Sequence, residues 1–260
     1  MPTRAIIFDL DDTLIVDEAI SREAMQATAA LALRQHGADS VTFRADAARL
    51  GAAIWREGPL RERCAALGIT MEECLWGHFK TDAPLRDWAL AARVRLFDAV
   101  LRAQEIEDGS AAAELAAEFS SARRKLQRLM PDAAETLARL KPVFKLGLLT
   151  NGDSSLQREK IAACGLAPFF DFTVVSGEFG IGKPRPEIFH AILDGLEVDA
   201  AHAAMVGNSL ERDILGARNA GLATGIWLQV PGSEEFADVT PDHTITGLHG
   251  LPKLLEPVLV

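Results

Sequence analysis

Three aspartates stand within four positions in the stretch AIIFDLDDTL, near the start of the chain. A buried carboxylate is unfavourable unless a cation or several hydrogen-bond donors face it, so this crowding predicts a positively charged partner. Alternate side chains of an extended segment share one side. Asp9, Asp11 and Thr13 are therefore expected to converge, while Leu10 and Asp12 point away. One such carboxylate can attack an electrophile while its neighbour moves a proton.

A second polar cluster follows the apolar run FKLGLLT. Thr150 offers a hydroxyl, Asn151 and Gly152 offer backbone amides, and Asp153 is placed to cap the next helix. Helix amino termini and nearby free N–H groups bind anions, so this segment predicts a phosphate cradle. Taken alone, TNGD is typical of an ordinary turn.

Two further segments supply a cation and an acidic ligand. GEFGIGKPRPEIF has the glycine and lysine spacing of a nucleotide-binding P-loop, but Pro184 stands where that motif needs Ser or Thr for magnesium. We therefore interpret Lys183 as a point charge between a carboxylate and a phosphate oxygen. In MVGNSLERD, Asp213 could hold Mg²⁺, which prefers oxygen ligands, although an acidic residue in a helix's first turn is also favoured by the dipole.

From residue 131 onward, apolar runs alternate with helical periodicity. This pattern predicts a doubly wound α/β domain, in which a Rossmann-like parallel sheet is covered on both faces. Pro131 suits the first turn of a new helix, and Gly221 suits the end of the last one. The predicted strands are AIIF, FKLGLLT, FTVV, AAMVG and TGIWL, and the predicted helices are PDAAETLARL, SSLQREKIAAC, PEIFHAILDGL and LERDILGARNAG.

The segment from residue 17 to 128 is different, because alanine, leucine and arginine recur there at helical spacings and no strand is evident. It begins directly after the first predicted strand and ends before the second. We therefore expect an α/β core of residues 1–16 and 129–260, interrupted by an all-α insertion of residues 17–128. Trp55, Trp76 and Trp88 fall at helical spacings within the insertion and are interpreted as core residues.

Composition narrows the classes of partner. The formal net charge of −10 argues against nucleic acid and against an anionic membrane surface. Cys64, Cys74 and Cys164 are odd in number and lack CxxC spacing, so buried free thiols in a reducing compartment are expected. Neither a signal-peptide pattern nor a membrane-spanning run is evident. These features predict a cytoplasmic protein, and they leave its oligomeric state open.

In this order, AIIFDLDDTL, LLTNGD, GKPRPEIF and MVGNSLERD resemble the four motifs of the haloacid dehalogenase superfamily, whose members are mainly magnesium-dependent phosphatases. Each motif alone is weak evidence for the superfamily, but the four motifs in this order are specific to it. The helical insertion takes the place of that superfamily's type-1 cap. The core resembles most closely the branch that contains N-acylneuraminate-9-phosphatase and the pyrimidine nucleotidases.

The resemblance implies a role for each matched residue. Asp9 is expected to be the nucleophile that forms an aspartyl-phosphate. Asp11 is expected to protonate the leaving alcohol and then to activate water. Thr150 and Lys183 are expected to hold the transferring phosphoryl group. The remaining residues that we expect at the phosphate are Leu10, Thr13, Asn151 and Gly152.

The resemblance also implies a magnesium site formed by the Asp9 carboxylate, the Asp11 backbone carbonyl, Asn208 and Asp213. The superfamily usually has aspartate at the position of Asn208. Asparagine can still offer a carbonyl oxygen, but it removes one negative charge from a site that must attract a dication. We therefore expect weaker magnesium binding.

The predicted function is a magnesium-dependent phosphatase that hydrolyses a small phosphorylated metabolite, either a sugar phosphate or a nucleotide. One alternative is a 2-haloacid dehalogenase, which uses the same nucleophile on carbon without a metal. Asp11 argues against this because that branch lacks the second aspartate, although Asn208 is similar to the dehalogenase loop. A second alternative is a non-catalytic binding module with a weakened metal site, for which Asn208 is the only support.

Overall fold

The computed structural model describes residues 2–231, 236 and 239–255. The chain divides into two compact units. The first, here called the α/β unit, comprises Met1–Val16 and Arg128–Val260. The second, the helical unit, is Asp17–Gln127. Every residue of the helical unit is described, and none of them forms a strand.

Aromatic side chains form much of the interior of the helical unit. The Phe43 and Phe97 rings stack with their centroids 5.9 Å apart. Trp76 is buried as predicted, whereas the Trp55 and Trp88 rings are half-buried and lie 5.9 Å from one another. The helices are α1 (Glu18–His36), α2 (Ser40–Arg56), α3 (Arg61–Leu67), α4 (Met71–Trp76), α5 (Ala83–Arg102) and α6 (Ala111–Lys125).

One parallel sheet organises the α/β unit. Its strands are β1 (Ala5–Phe8), β2 (Lys145–Thr150), β3 (Phe172–Val175), β4 (Ala203–Gly207), β5 (Thr224–Leu228) and β6 (His243–Ile245). They lie in the order β3-β2-β1-β4-β5-β6, and every neighbouring pair is parallel. The predicted parallel α/β architecture is confirmed. The strand order reverses at β1 and β4, and in such sheets ligands bind at the carboxyl ends of the strands beside this point.

The helices of the α/β unit are α7 (Ala133–Leu140), α8 (Ser154–Ala163), α9 (Ser176–Phe179), α10 (Pro186–Leu196), α11 (Gly216–Asn219) and α12 (Leu251–Leu254). Alternate side chains of the central strands enter two separate cores, one on each face of the sheet. Ile6 and Phe8 join one core, and Ile7 joins the other. Because both faces are buried, these strands are continuous apolar runs in the sequence.

The predicted helix LERDILGARNAG takes a different form. It begins as a π-helical turn, Leu210–Leu215, and only then continues as α11. The N–H groups of Asp213 and Ile214 both donate to the carbonyl of Ser209, which widens this first turn. The segment ends as predicted at Gly221, whose φ is 79°.

Smaller features also differ from expectation. Pro131 lies in a turn before α7 rather than in its first turn, because Asp132 adopts a φ of 62° just before the helix. Cys164 is half-buried, whereas Cys64 and Cys74 are buried as predicted, and none of the three forms a disulfide. The strand β6 was not predicted because its three residues are polar or only partly buried. No helix in the described ranges is long and apolar enough to cross a membrane.

The two-sided core of the sheet gives a stability prediction. Leu148 of β2 is fully buried, so Leu148→Ala is expected to lower the free energy of unfolding by about 2–5 kcal/mol through lost apolar burial and a residual cavity. Val143 is 46% exposed, and Val143→Ala is the control, with a change within about 0.5 kcal/mol. Urea unfolding of both variants measures the difference. Equal effects would contradict the placement of Leu148 in the core.

Candidate active site

A buried ammonium lies between two carboxylates at the carboxyl edge of the sheet. Lys183 Nζ is 2.6 Å from Asp9 Oδ1 and 2.7 Å from Asp213 Oδ1, and it donates to the carbonyl of Leu149 at 2.8 Å. The three charged residues are 1–7% exposed. Burial lowers the pKa of Lys183, but the charges of Asp213 and Asp9 outweigh burial and raise it overall. Lys183 is thus the cation that the crowded aspartates predicted.

Close backbone approaches make this cluster possible. A Cβ atom added at Gly207, the last residue of β4, would lie 2.2 Å from Asp213 Oδ2. A Cβ atom at Gly182 would lie 2.7 Å from Asn151 Oδ1. Any side chain at either position would therefore displace a polar group that surrounds Lys183.

The side chain of Asn151 holds the backbone of Lys183 in place. Its Oδ1 accepts the Lys183 N–H at 2.8 Å, and its Nδ2 donates to the Lys183 carbonyl at 3.0 Å. The sequence suggested Asn151 for its backbone amide, so this side-chain role was missed. The Gly152 N–H, which was expected in an anion cradle, donates instead to Ser176 Oγ at 2.9 Å. Asp153 caps α8 as predicted, by accepting the Leu156 N–H.

Thr13 connects the loop after β1 with the loop after β4. Its hydroxyl donates to Asp9 Oδ2 at 3.0 Å and accepts the Asn208 N–H at 3.1 Å. The Asn208 carbonyl accepts Trp227 Nε1 at 2.9 Å. Asp213 Oδ2 accepts the Ser209 N–H at 3.0 Å. These bonds fix the orientation of both carboxylates that face Lys183.

The segment around Asp11 does not continue the alternation of side chains that was expected after β1. The strand ends at Phe8, and Asp12 adopts a φ of 55°, so the segment is no longer extended. The Asp11 carboxylate is bound by two side chains of α8, Gln157 and Lys160. The side chain of Leu10 is fully buried in the core, which leaves only its backbone to meet a ligand.

Gln157 also contacts Thr150 at the end of β2. Its Nε2 lies 2.7 Å from Thr150 Oγ1, and the threonine hydroxyl donates to the Asn151 carbonyl at 3.3 Å. Neither Gln157 nor Lys160 was expected at the site from the sequence. The available signal was their spacing of three residues, which puts both on one face of α8, but a glutamine and a lysine on a helix are usually solvated.

The candidate metal ligands are all oxygen donors. The Asp9 carboxylate, the Asp11 carbonyl, the Asn208 amide oxygen and the Asp213 carboxylate suit Mg²⁺, which prefers such ligands and retains several waters. Within the part of the chain that the structure describes, no three His, Cys, Asp or Glu side chains form a metal cluster by themselves. The candidate set has only two carboxylate side chains, because Asp11 would contribute its backbone carbonyl and Asn208 an amide oxygen.

Comparison of the sequence with known proteins finds relatives that match it over more than nine-tenths of both chains, and others that match over a shorter region. A phosphoserine phosphatase from Thermus thermophilus is 34% identical, covering 92% of this chain and 94% of that protein. Human N-acylneuraminate-9-phosphatase is 31% identical, covering 98% and 94% respectively. The pyrimidine 5'-nucleotidase YjjG of Escherichia coli is 37% identical over a shorter region, 53% of this chain and 61% of its own length.

Solved structures share the fold. The HAD-hydrolase YfnB from Bacillus subtilis, bound to magnesium, has a TM-score of 0.66 with 24% identity and covers 98% of this chain and 99% of its own. A 2-haloacid dehalogenase from Pseudomonas syringae has a TM-score of 0.60 with 26% identity, with coverage of 98% and 99%. A family model described as haloacid dehalogenase-like hydrolase matches residues 3–221. The chain therefore belongs to the haloacid dehalogenase-like hydrolases, as its ordered motifs predicted.

Proposed function

We propose that this protein is a magnesium-dependent phosphatase that hydrolyses a small phosphomonoester through an aspartyl-phosphate on Asp9. The observation that carries the proposal is the contact between Lys183 Nζ and Asp9 Oδ1 at 2.6 Å. An ammonium here contacts the nucleophile directly and lies where charge builds up on a transferring phosphoryl group. The full-length relatives named as phosphatases support the same reaction class.

The proposed reaction has two steps. An Asp9 carboxylate oxygen attacks phosphorus, the bond from phosphorus to the leaving oxygen breaks, and that oxygen takes a proton from Asp11. Water then attacks phosphorus and gives a proton to Asp11, the bond between phosphorus and the Asp9 oxygen breaks, and inorganic phosphate leaves with the Asp9 carboxylate restored. Lys183 and Thr150 hold the phosphoryl oxygens, together with backbone groups of Leu10 and Asn151, whereas the Gly152 N–H is already bonded to Ser176. Thr13 orients the nucleophile through its bond to Asp9 Oδ2.

The proposed magnesium ligands are Asp9, the Asp11 carbonyl, Asn208 and Asp213. When bound, the metal neutralises phosphoryl charge and fixes the substrate. Asp213 has two parts in this proposal, because its carboxylate also orients Lys183. The helical unit is proposed to be the cap of this family, and it is expected to contribute to the choice between sugar phosphates and nucleotides.

The first test is phosphate release by wild-type protein and by Asp9→Asn, with magnesium, from sugar phosphates, nucleoside monophosphates and an aryl phosphate. The amide keeps the shape of the side chain but is a poor nucleophile, so kcat is expected to fall by at least about a thousandfold. Asp171→Asn is the matched control, since Asp171 also pairs with a lysine, Lys141, at 2.6 Å, and it is expected to retain wild-type turnover.

Each possible outcome of this test has a definite meaning. Retained turnover in folded Asp9→Asn would exclude Asp9 as the nucleophile. Halide release from a 2-haloacid, without phosphate release from any ester, would favour the dehalogenase alternative. Ligand binding without any turnover would favour the non-catalytic alternative.

A second prediction concerns Asn208. Asn208→Asp adds a negative charge beside the proposed metal, so the dissociation constant for Mg²⁺ is expected to fall about tenfold. Calorimetric titration of the free protein measures this affinity independently of turnover. Asn219→Asp is the control, because Asn219 is exposed on α11 and its substitution makes the same change in net charge. Equal affinities in wild type and Asn208→Asp would remove Asn208 from the ligand set.

A further inference from the structure

Helix α8 directs two buried donors at the carboxylate of Asp11. Gln157 Nε2 donates to Asp11 Oδ2 at 2.9 Å, and Lys160 Nζ donates to Asp11 Oδ1 at 2.9 Å. Residues three apart lie on the same face of a helix, so one rigid element supplies both bonds. Each carboxylate oxygen receives its own donor, which fixes the rotation of the group as well as its position.

Burial distinguishes these donors from ordinary surface residues. Gln157 and Lys160 are 0% and 1% exposed, whereas the Asp11 side chain is 27% exposed. Both donor side chains are therefore buried, while the Asp11 carboxylate that they hold reaches solvent. Among the described residues, Gln157 Oε1 has no hydrogen-bond partner, and a buried unsatisfied oxygen costs about 1–3 kcal/mol. Gln157 Nε2 nevertheless donates to Asp11, so we attribute the amide at this position to the group that it orients.

Gln157 also ties Asp11 to the end of β2. Its Nε2 lies within 2.9 Å of both Thr150 Oγ1 and the Asn151 carbonyl. Gly152, with a φ of 136°, allows this packing, since a Cβ atom there would lie 2.8 Å from the Gln157 side-chain carbon Cδ. The amide thus links the Asp11 carboxylate to the threonine hydroxyl that is proposed to hold the phosphoryl group.

We propose that Gln157 and Lys160 are positioning residues that hold Asp11 in the orientation for proton transfer to the leaving alcohol. This inference rests on the proposed phosphatase function. Neither residue gains or loses a proton in the reaction, because the proton passes from Asp11 to the leaving oxygen as the bond to phosphorus breaks. Their effect on the rate comes through the geometry of Asp11, and small misplacements of a catalytic group reduce rates strongly.

The experiment compares two phosphate esters whose leaving groups differ in their need for a proton from Asp11. Lys160→Met and Gln157→Met are compared with wild type by kcat/KM, which covers the steps up to alcohol release. An alkyl phosphate needs protonation of its leaving oxygen, whereas 4-nitrophenyl phosphate does not. Lys160→Met is expected to lose about 30-fold or more with the alkyl ester, but less than about threefold with the aryl ester. Gln157→Met also removes a bond to Thr150, so it is expected to lose activity with both esters, and more with the alkyl ester. Arg158→Met is the matched control on α8, because Arg158 pairs with Glu178, and both of its rates are expected to remain at the wild-type level.

A double-mutant comparison tests the same point through Asp11 itself. In the Asp11→Asn background, Lys160→Met is expected to cause no further loss in kcat/KM with the alkyl phosphate, since its action passes through the missing carboxylate. Thermal unfolding of every variant establishes that it is folded. A merely structural role would lower the rates with both esters equally.

The outcomes separate this inference from the function on which it rests. Equal losses with both esters, or wild-type rates in folded Lys160→Met and Gln157→Met, would overturn the positioning role while leaving the phosphatase function intact. If wild-type protein with magnesium released no phosphate from either ester, the proposed function would fail and the inference with it. A loss that depends on the leaving group, together with the absence of a further loss in Asp11→Asn, would support both.

Discussion

The ammonium of Lys183, buried between the carboxylates of Asp9 and Asp213, is the interaction on which the rest of the site depends. Two carboxylates this close repel one another, and only a cation that reaches both allows them to share a buried space. Buried ion pairs add little net stability, but loss of one partner leaves an uncompensated charge. The position of Lys183 therefore determines which carboxylate oxygens remain available for chemistry.

The fold meets this requirement by bringing several loops to one edge of the sheet. Asp9 follows β1, and Asp213 lies in the π-helical turn after β4, while Asn151 at the end of β2 holds the Lys183 backbone. Gly207 leaves room for the Asp213 carboxylate. Because β1 and β4 are adjacent and parallel, the two acidic segments meet where the strand order reverses. The same arrangement places both polar loops at the usual ligand-binding edge of such sheets.

The parts of the site that were predictable from sequence depend on residue type and strand order. The crowding of aspartates at Asp9 predicted a cation, and the GKP segment predicted Lys183 as a point charge beside a carboxylate. The orientation of individual side chains was less accessible. Asp11 turns toward α8 because Asp12 has a positive φ, which side-chain alternation cannot anticipate. Gln157 and Lys160 resemble solvated helix residues until the packing of α8 shows that they are buried.

The central claim is that Asp9 carries the phosphoryl group during turnover. Rapid acid quenching of the protein with magnesium and a reactive aryl phosphate, followed by mass spectrometry of its peptides, tests this directly. One phosphoryl group is expected on the peptide that contains Asp9, formed before steady turnover and absent in Asp9→Asn. Steady phosphate release without such an adduct, or an adduct on a different residue, would contradict the claim.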